Sequence, residues 1–219
     1  MGMLVSIHLQ YESAMSRTRK PAEIRRAEIT SAVLELLNTQ SPGGLSTAAI
    51  AAHVGVSHSA LFRHFATKDA LWAGVMDEIE ARARASWDAA EAQGGPPAAQ
   101  LRALLRAQAG LIARTPAIPN LIFSPGHLAA ETVTRPIHTR IMAEFHTRIS
   151  SLIARAMRDG ALCDDVAPGD ATLLLMGLLQ GLVLRWTLSK RGFDLEAEAA
   201  RLIELQLRLM RAPDRGEMP

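Results

Sequence analysis

The residues best able to do chemistry lie in one stretch, Leu45 to Leu71, which reads LSTAAIAAHVGVSHSALFRHFATKDAL. Hydroxyls (Ser46, Thr47, Ser57, Ser59, Thr67), imidazoles (His53, His58, His64) and cations (Arg63, Lys68) crowd into it beside a single carboxylate, Asp69. Such groups suit contact with a polyanion. The chain has no Gly-rich phosphate loop, no Gly-x-Ser-x-Gly sequence and no carboxylate pair in an identifiable site, so neither enzymatic activity nor a cofactor is expected. Charge is distributed in the same sense. Residues 1–70 hold 7 Lys/Arg against 5 Asp/Glu and four of the seven histidines, whereas residues 71–219 hold 17 charges of each sign. A basic end on a neutral body points to a polyanionic partner.

Short helices must position these groups. Ser46 is a candidate N-cap for a helix through His53, and Ser57 for another through about His64. Val54-Gly55-Val56 joins them, the glycine allowing a positive φ in a sharp turn. Ile50, Ala51, Val54, Val56, Leu61 and Phe65 can pack both helices on a preceding one, expected from about Pro21 to Asn38. Its Ile29, Ala32, Val33, Leu36 and Leu37 fall on one face, and Ser41-Pro42-Gly43-Gly44 ends it. Thr67 caps a fourth helix reaching about Ala92. The layout is that of a helix-turn-helix, whose second helix enters the major groove with its N-terminal residues at base edges.

The ordered set Gly55-Val56-Ser57, Phe62-Arg63-His64-Phe65 and Thr67-Lys68 resembles the TetR family of transcriptional regulators over about residues 25–75. Beyond them the likeness is one of helix layout and length. The resemblance implies that Thr47 and Lys68 grip phosphates, the latter aided by the dipole and free N–H groups of the helix it begins. It implies that His58, Ser59 and Arg63 face base edges, where Arg63 can bind guanine N7 and O6 with two prongs. His64 matches a backbone-contacting position, and Ala60 can meet a thymine methyl. Two departures stand out. Phe62 occupies a position where the family often has tyrosine, so one hydroxyl contact to phosphate is missing. Ala48 sits where some members carry a base-reading arginine. More of the binding would then fall to Arg17, Arg19 and Lys20, read either as a DNA-contacting arm or as a tail.

The rest of the chain reads as helices. Gly94-Gly95-Pro96-Pro97 breaks the pattern, and a helix follows with Leu101, Leu104, Leu105, Gln108 and Ile112 on one face. Pro116, Pro119 and Pro125 predict a short helix and a bent connection. Long helices are expected from Thr134 to Arg158, from Pro168 to about Lys190 with Gly192 closing it, and from Leu195 to Arg211. The fold class is all-α with about nine helices. It divides into an arm (1–20), a helix-turn-helix domain (21–70), a ligand-binding and dimerisation domain (71–212) and a tail (213–219).

The helix from Asp170 to Lys190 is apolar on most of its circumference, so it must be covered on all sides. A second copy of the chain supplies that cover, and Gly177 and Gly181 permit close approach. The resemblance implies that this helix and the last one pair with their two-fold mates. Such a homodimer suits a palindromic operator in double-stranded DNA. It also implies a small-molecule effector pocket in the body, with Leu104, Gln108, Ile112, Phe123, Met142, Phe145, Met176 and Gln180 as its expected lining. The scarcity of polar groups among them predicts a largely apolar ligand. The alternative is a family-like protein with no small-molecule ligand, acting through a protein partner. His127, His138 and His146 lack metal-ligand spacing, and lone Cys163 fits neither an internal disulfide nor redox sensing. The apolar run Ala171–Leu184 is short for a bilayer span, which needs ~20 residues, and no signal peptide is read at the N-terminus. A cytoplasmic protein is expected.

Overall fold

The structure, a computed structural model, describes residues 21–128 and 132–211, so Arg17, Arg19, Lys20 and the C-terminal segment lie outside the described residues. Ten α-helices occur among the described residues. They are α1 Ala22–Leu37, α2 Thr47–Val54, α3 His58–His64, α4 Lys68–Glu91, α5 Pro97–Arg114, α6 Ala117–Ile122, α7 Pro125–Leu128, α8 Thr134–Arg158, α9 Pro168–Leu188 and α10 Leu195–Leu209. The tenth, beyond the nine expected, is the four-residue α7 in the proline-interrupted stretch. No strand forms among the described residues; one isolated bridge joins Leu162 to Arg211.

The three helices that start near the candidate site are fixed by their first residues. Ser46 Oγ accepts from the Ala49 N–H at 3.1 Å, Ser57 Oγ from Ala60 at 3.1 Å and Thr67 Oγ1 from Ala70 at 3.0 Å. Each such cap contributes ~1 kcal/mol. Gly55 closes α2 in the left-handed region (φ 72°), and the Val56 N–H then returns to the Ala51 carbonyl at 2.9 Å. That sharp reversal sets α3 across α2.

Ile29, Val33, Leu34 and Leu37 of α1 form one core with Ile50, Leu61, Phe65, Leu71 and Val75. Gly74 makes the closest approach. A Cβ there would lie 2.7 Å from the Phe65 ring, so a larger residue would force the ring or the helix to shift. In the body, α5 is central and packs against α4, α8, α9 and α10. Ion pairs then clamp α4 to α8. Buried Glu80 pairs with Arg84 (2.8 Å) and with Arg140, whose hydrogen bonds hold its carboxyl below the usual range. Arg148 engages Asp88 (2.7 Å), Glu91 (3.0 Å) and Glu144 (2.9 Å).

α9 ends at Leu188, within two residues of its expected end, because Lys190 and Arg191 themselves turn left-handed (φ 53° and 64°) and the Arg191 N–H closes on the Trp186 carbonyl. In the single chain α9 is covered on one side. Leu175, Met176, Leu179, Leu182, Val183 and Trp186 are buried, while Leu173, Leu174, Leu184 and Leu188 stay exposed in the single chain. By length and composition α9 is also long enough to cross a membrane, exceeding the run read from the sequence, with 44% of its most apolar window buried.

Candidate nucleic-acid interface and ligand cavity

α3 presents its polar side to solvent. Leu61 is its one buried residue, and the chain turns back at Phe65, which is 1% exposed. His58, Ser59 and Arg63 are exposed; Ala60, Phe62 and His64 are half-buried. Lys68, at the start of α4, is exposed, and among the described residues no ion pair engages it or Arg63. Thr47 and His58, assigned separate roles above, meet here: Thr47 Oγ1 lies 3.0 Å from His58 Nε2. The Phe62 ring packs edge-on against the His58 imidazole, with centroids 4.8 Å apart. Ser59 Oγ lies 3.1 Å from the capping Ser57 Oγ.

A cluster of cations backs this face. Arg26 stacks 4.2 Å above the Phe65 ring and donates to the His64 carbonyl. Burial, followed by the charges of Arg25, Arg63 and Arg26, lowers the His64 pKa, so the ring is neutral at pH 7 and the guanidinium groups carry the charge. Sequence reasoning overlooked Arg26, since nothing in a linear pattern connects α1 to the end of α3.

The body holds a half-open cavity of about 620 Å³ among α5–α9, within the ~300–1,000 Å³ range of ligand pockets. Gln108, Ile112, Phe123, Met142, Phe145, Met176 and Gln180 line it together. Leu104 does not: it faces the interior of the helix stack and is 0% exposed. Trp87 stacks on Phe145 (5.0 Å, 21°) and donates to Gln108 Oε1 at 2.8 Å. That bond leaves the Gln108 NH₂ as the donor available to a ligand.

The cavity also has lining that sequence reasoning missed. Ile118, Pro119 and Ile122 come from α6, and His127, Arg135, His138 and Thr139 from α7 and α8. His127 Nδ1 lies 2.9 Å from Thr134 Oγ1 and its Nε2 lies 3.3 Å from His138 Nδ1. Burial pushes both imidazoles down, His138 to about 4, so both are neutral at pH 7. Among the described residues no third metal-binding side chain joins them. Their separation of eleven positions across a helix break left no periodic signal.

One junction ties cavity to head. Asn120 of α6 donates to the Leu37 carbonyl at 2.7 Å, Asn38 Oδ1 accepts from the Ala117 N–H at 3.0 Å, and Arg191 donates to the Asn38 carbonyl at 2.7 Å. The end of α1 is thereby held by the helix that walls the cavity.

Residues 29–75 match the family model of bacterial regulatory proteins of the tetR family, and residues 108–212 match that of the C-terminal region of MAATS-type transcriptional repressors. The HTH-type transcriptional regulator AcrR of Shigella flexneri is 22% identical over 204 residues, covering 88% of this chain and 92% of that protein. The nucleoid occlusion factor SlmA of Marinomonas sp. (strain MWYL1) is 23% identical over 167 residues, covering 76% and 84%. In fold, a TetR transcription regulator from Haloarcula marismortui superposes with TM-score 0.76 at 18% identity, covering 86% of this chain and 99% of that one. FadR from Bacillus subtilis in complex with stearoyl-CoA gives TM-score 0.71 at 14% identity, covering 83% and 97%.

Proposed function

Because the chain belongs to the TetR family of DNA-binding transcriptional regulators, we propose that it is a cytoplasmic homodimeric repressor, released from a palindromic operator when a small, largely apolar ligand fills the cavity of its body. The observation that carries this reading is the double duty of α6. Its Ile118, Pro119 and Ile122 wall the cavity, while Asn120 and the Ala117 N–H hold Leu37 and Asn38 at the end of α1. A ligand that shifts α6 must move the head or break these bonds. By linkage the DNA complex then binds that ligand more weakly than the free protein does.

In the head, Arg63, Ser59, His58 and Ala60 read bases while Thr47, His64 and Lys68 grip phosphates, with Phe62 packed beside His58. The exposed leucines of α9 and α10 take the two-fold mate. The similarity to FadR, whose structure holds stearoyl-CoA, supports a ligand with a long apolar chain.

The alternative, action through a protein partner with no small ligand, draws support from the likeness to SlmA. Its stronger form, 44% identity in the Photobacterium profundum protein, spans only 57 residues. The cavity favours the first reading.

Anisotropy titration of the purified protein with duplexes from its own upstream DNA tests the head, and adding metabolites to the complex tests the ligand. Binding that no compound reverses favours the protein-partner alternative. Indifference to every duplex at low salt overturns both readings. Asn120→Ala removes one hydrogen bond, worth ~1 kcal/mol. It should leave ligand-free DNA affinity within about twofold while weakening ligand-induced release several-fold.

A further inference from the structure

The cavity is chemically two-ended. Met142, Phe145, Ile112 and Met176 make an apolar wall, whereas His127, Arg135, His138 and Thr139 collect where α7 meets the first turns of α8. Arg135 and Thr139 are exposed and His127 is buried, so this polar end grades from the interior to the rim. Among the described residues no Asp or Glu lines the cavity, and no ion pair engages Arg135. The exposed lining contributed by α9, Gly177, Gln180, Gly181 and Leu184, lies on the face assigned above to the second copy. In that dimer the opening left to solvent is framed by the polar rim together with Phe123 and Leu128.

Three ligand classes can be weighed against this lining. A cationic amphiphile would meet a guanidinium and, among the described residues, no counter-charge. A wholly apolar molecule would cover His138 Nε2 and part of the Arg135 guanidinium without partners, which costs free energy for each polar group left unsatisfied. An anion satisfies them, and charge-assisted bonds to guanidinium are the stronger kind. Resting on the ligand-cavity reading above, we propose that the effector is an amphiphile with an apolar body along Phe145, Met142 and Met176 and a carboxylate head seated between Arg135 and His138.

A hydrogen-bonded relay prepares the imidazole end. Thr132 Oγ1 lies 2.9 Å from Thr134 Oγ1, which lies 2.9 Å from His127 Nδ1, and His127 Nε2 lies 3.3 Å from His138 Nδ1. With both rings neutral, the relay has two polarities. When the Thr134 hydroxyl donates to His127, the His127 Nε2–H donates to His138 Nδ1, and the proton of His138 sits on Nε2. The relay then ends in an N–H donor. A carboxylate beside it selects that polarity with no change in net protonation. A cation selects the reverse and still faces Arg135.

Calorimetric titration with decanoate, decanol and decyltrimethylammonium, all below micellar concentration, tests the assignment on the intact protein. Decanoate should bind at least ~10-fold tighter than decanol, with the ammonium weakest, and decanoate should release the DNA complex. Arg135→Gln, at an exposed residue, should erase the preference for decanoate over decanol. Equal binding of decanoate and decanol, or a preference that survives both Arg135→Gln and His138→Gln, overturns the carboxylate head but leaves the cavity as a ligand site. Binding by none of the three overturns both.

Discussion

Two helices of this chain keep a face uncovered, and they do so in opposite chemical terms. α3 buries Leu61 and turns His58, Ser59 and Arg63 to water. α9 buries its inner side and leaves Leu173, Leu174, Leu184 and Leu188 in water. Exposed polar groups are hydrated and cost nothing until a partner arrives. Exposed leucines forgo ~25 cal/mol for every Å² that a partner would cover. The polar face of the head is thus at ease in water, whereas the leucine face of the body is what the proposed dimer would cover. Gly177 and Gly181 sharpen the contrast, since a Cβ at either would meet nothing within 4 Å and a second helix can approach closely.

The sharpest way to break the comparison is to charge the α9 face. Leu174→Glu with Leu188→Glu places two carboxylates per chain in what would be an apolar interface, each counted twice by the two-fold axis. Burying unpaired charge there should weaken self-association by ~100-fold or more, read by sedimentation or mass photometry. DNA affinity falls with it, because linked half-sites become independent, while the melting of a single head should hardly change. A variant that stays dimeric would remove the distinction between the two faces.

Next in size are the groups on α3 and its neighbour. Lys68→Ala should lower affinity across all sequences and reduce the slope of log K against log salt by ~1; Arg63→Ala should cost ~1–3 kcal/mol and relax preference at one base position. If both act alike on random and cognate duplexes, the division between positioning and reading fails. Anisotropy at two salt concentrations distinguishes the cases.

Gly74→Ala probes how the polar face is held out. Alanine gains ~1 kcal/mol of helix propensity over glycine, but its Cβ would lie 2.7 Å from a Phe65 ring held under Arg26, and 3.5 Å from Thr30 Cγ2. Overpacking costs ~1–3 kcal/mol, so the net effect should be a small loss of stability. DNA affinity should fall with it, because Phe65 ends α3. A rise in melting temperature with unchanged DNA binding would show that the ring is free to move.

The head was legible because its signals are local. Caps at Ser46, Ser57 and Thr67 and the turn at Gly55 are each set by residues within four positions, and the sequence expectations for α2 and α3 agree with the structure to within a residue. The body obeyed periodicity along its long helices: Thr134–Arg158 stands as expected. It withheld whatever depends on packing between helices. Leu104 and Gln108 share a face on paper, yet one lies in the core and the other in the cavity. The His127–His138 pair joins two helices across a break, and the Asn38–Ala117 bond spans 79 positions. No linear pattern encodes either.

Those histidines give the gentlest test, comparing body with head by pH. His138 is held near 4 in the folded chain against 6.5 ordinarily, and its partner His127 is also lowered. A base with a depressed folded pKa leaves stability intact above its unfolded value and loses it as pH falls, because the unfolded chain takes up the proton first. The loss should begin near pH 6.5 and deepen toward pH 4. The lowered carboxylates Glu80, Glu198 and Glu204 lose their contribution only around and below 4.5. The window from pH 7 to 5 therefore isolates imidazole. Denaturant midpoints across it should decline for the native chain and decline less for His138→Gln. His64, half-buried at the head's surface and also lowered, should matter less, so His64→Gln should flatten the decline only slightly. If the two substitutions act equally, the imidazoles at the head's surface and in the body's cavity are not differently solvated, and the contrast between the regions narrows to α3 and α9.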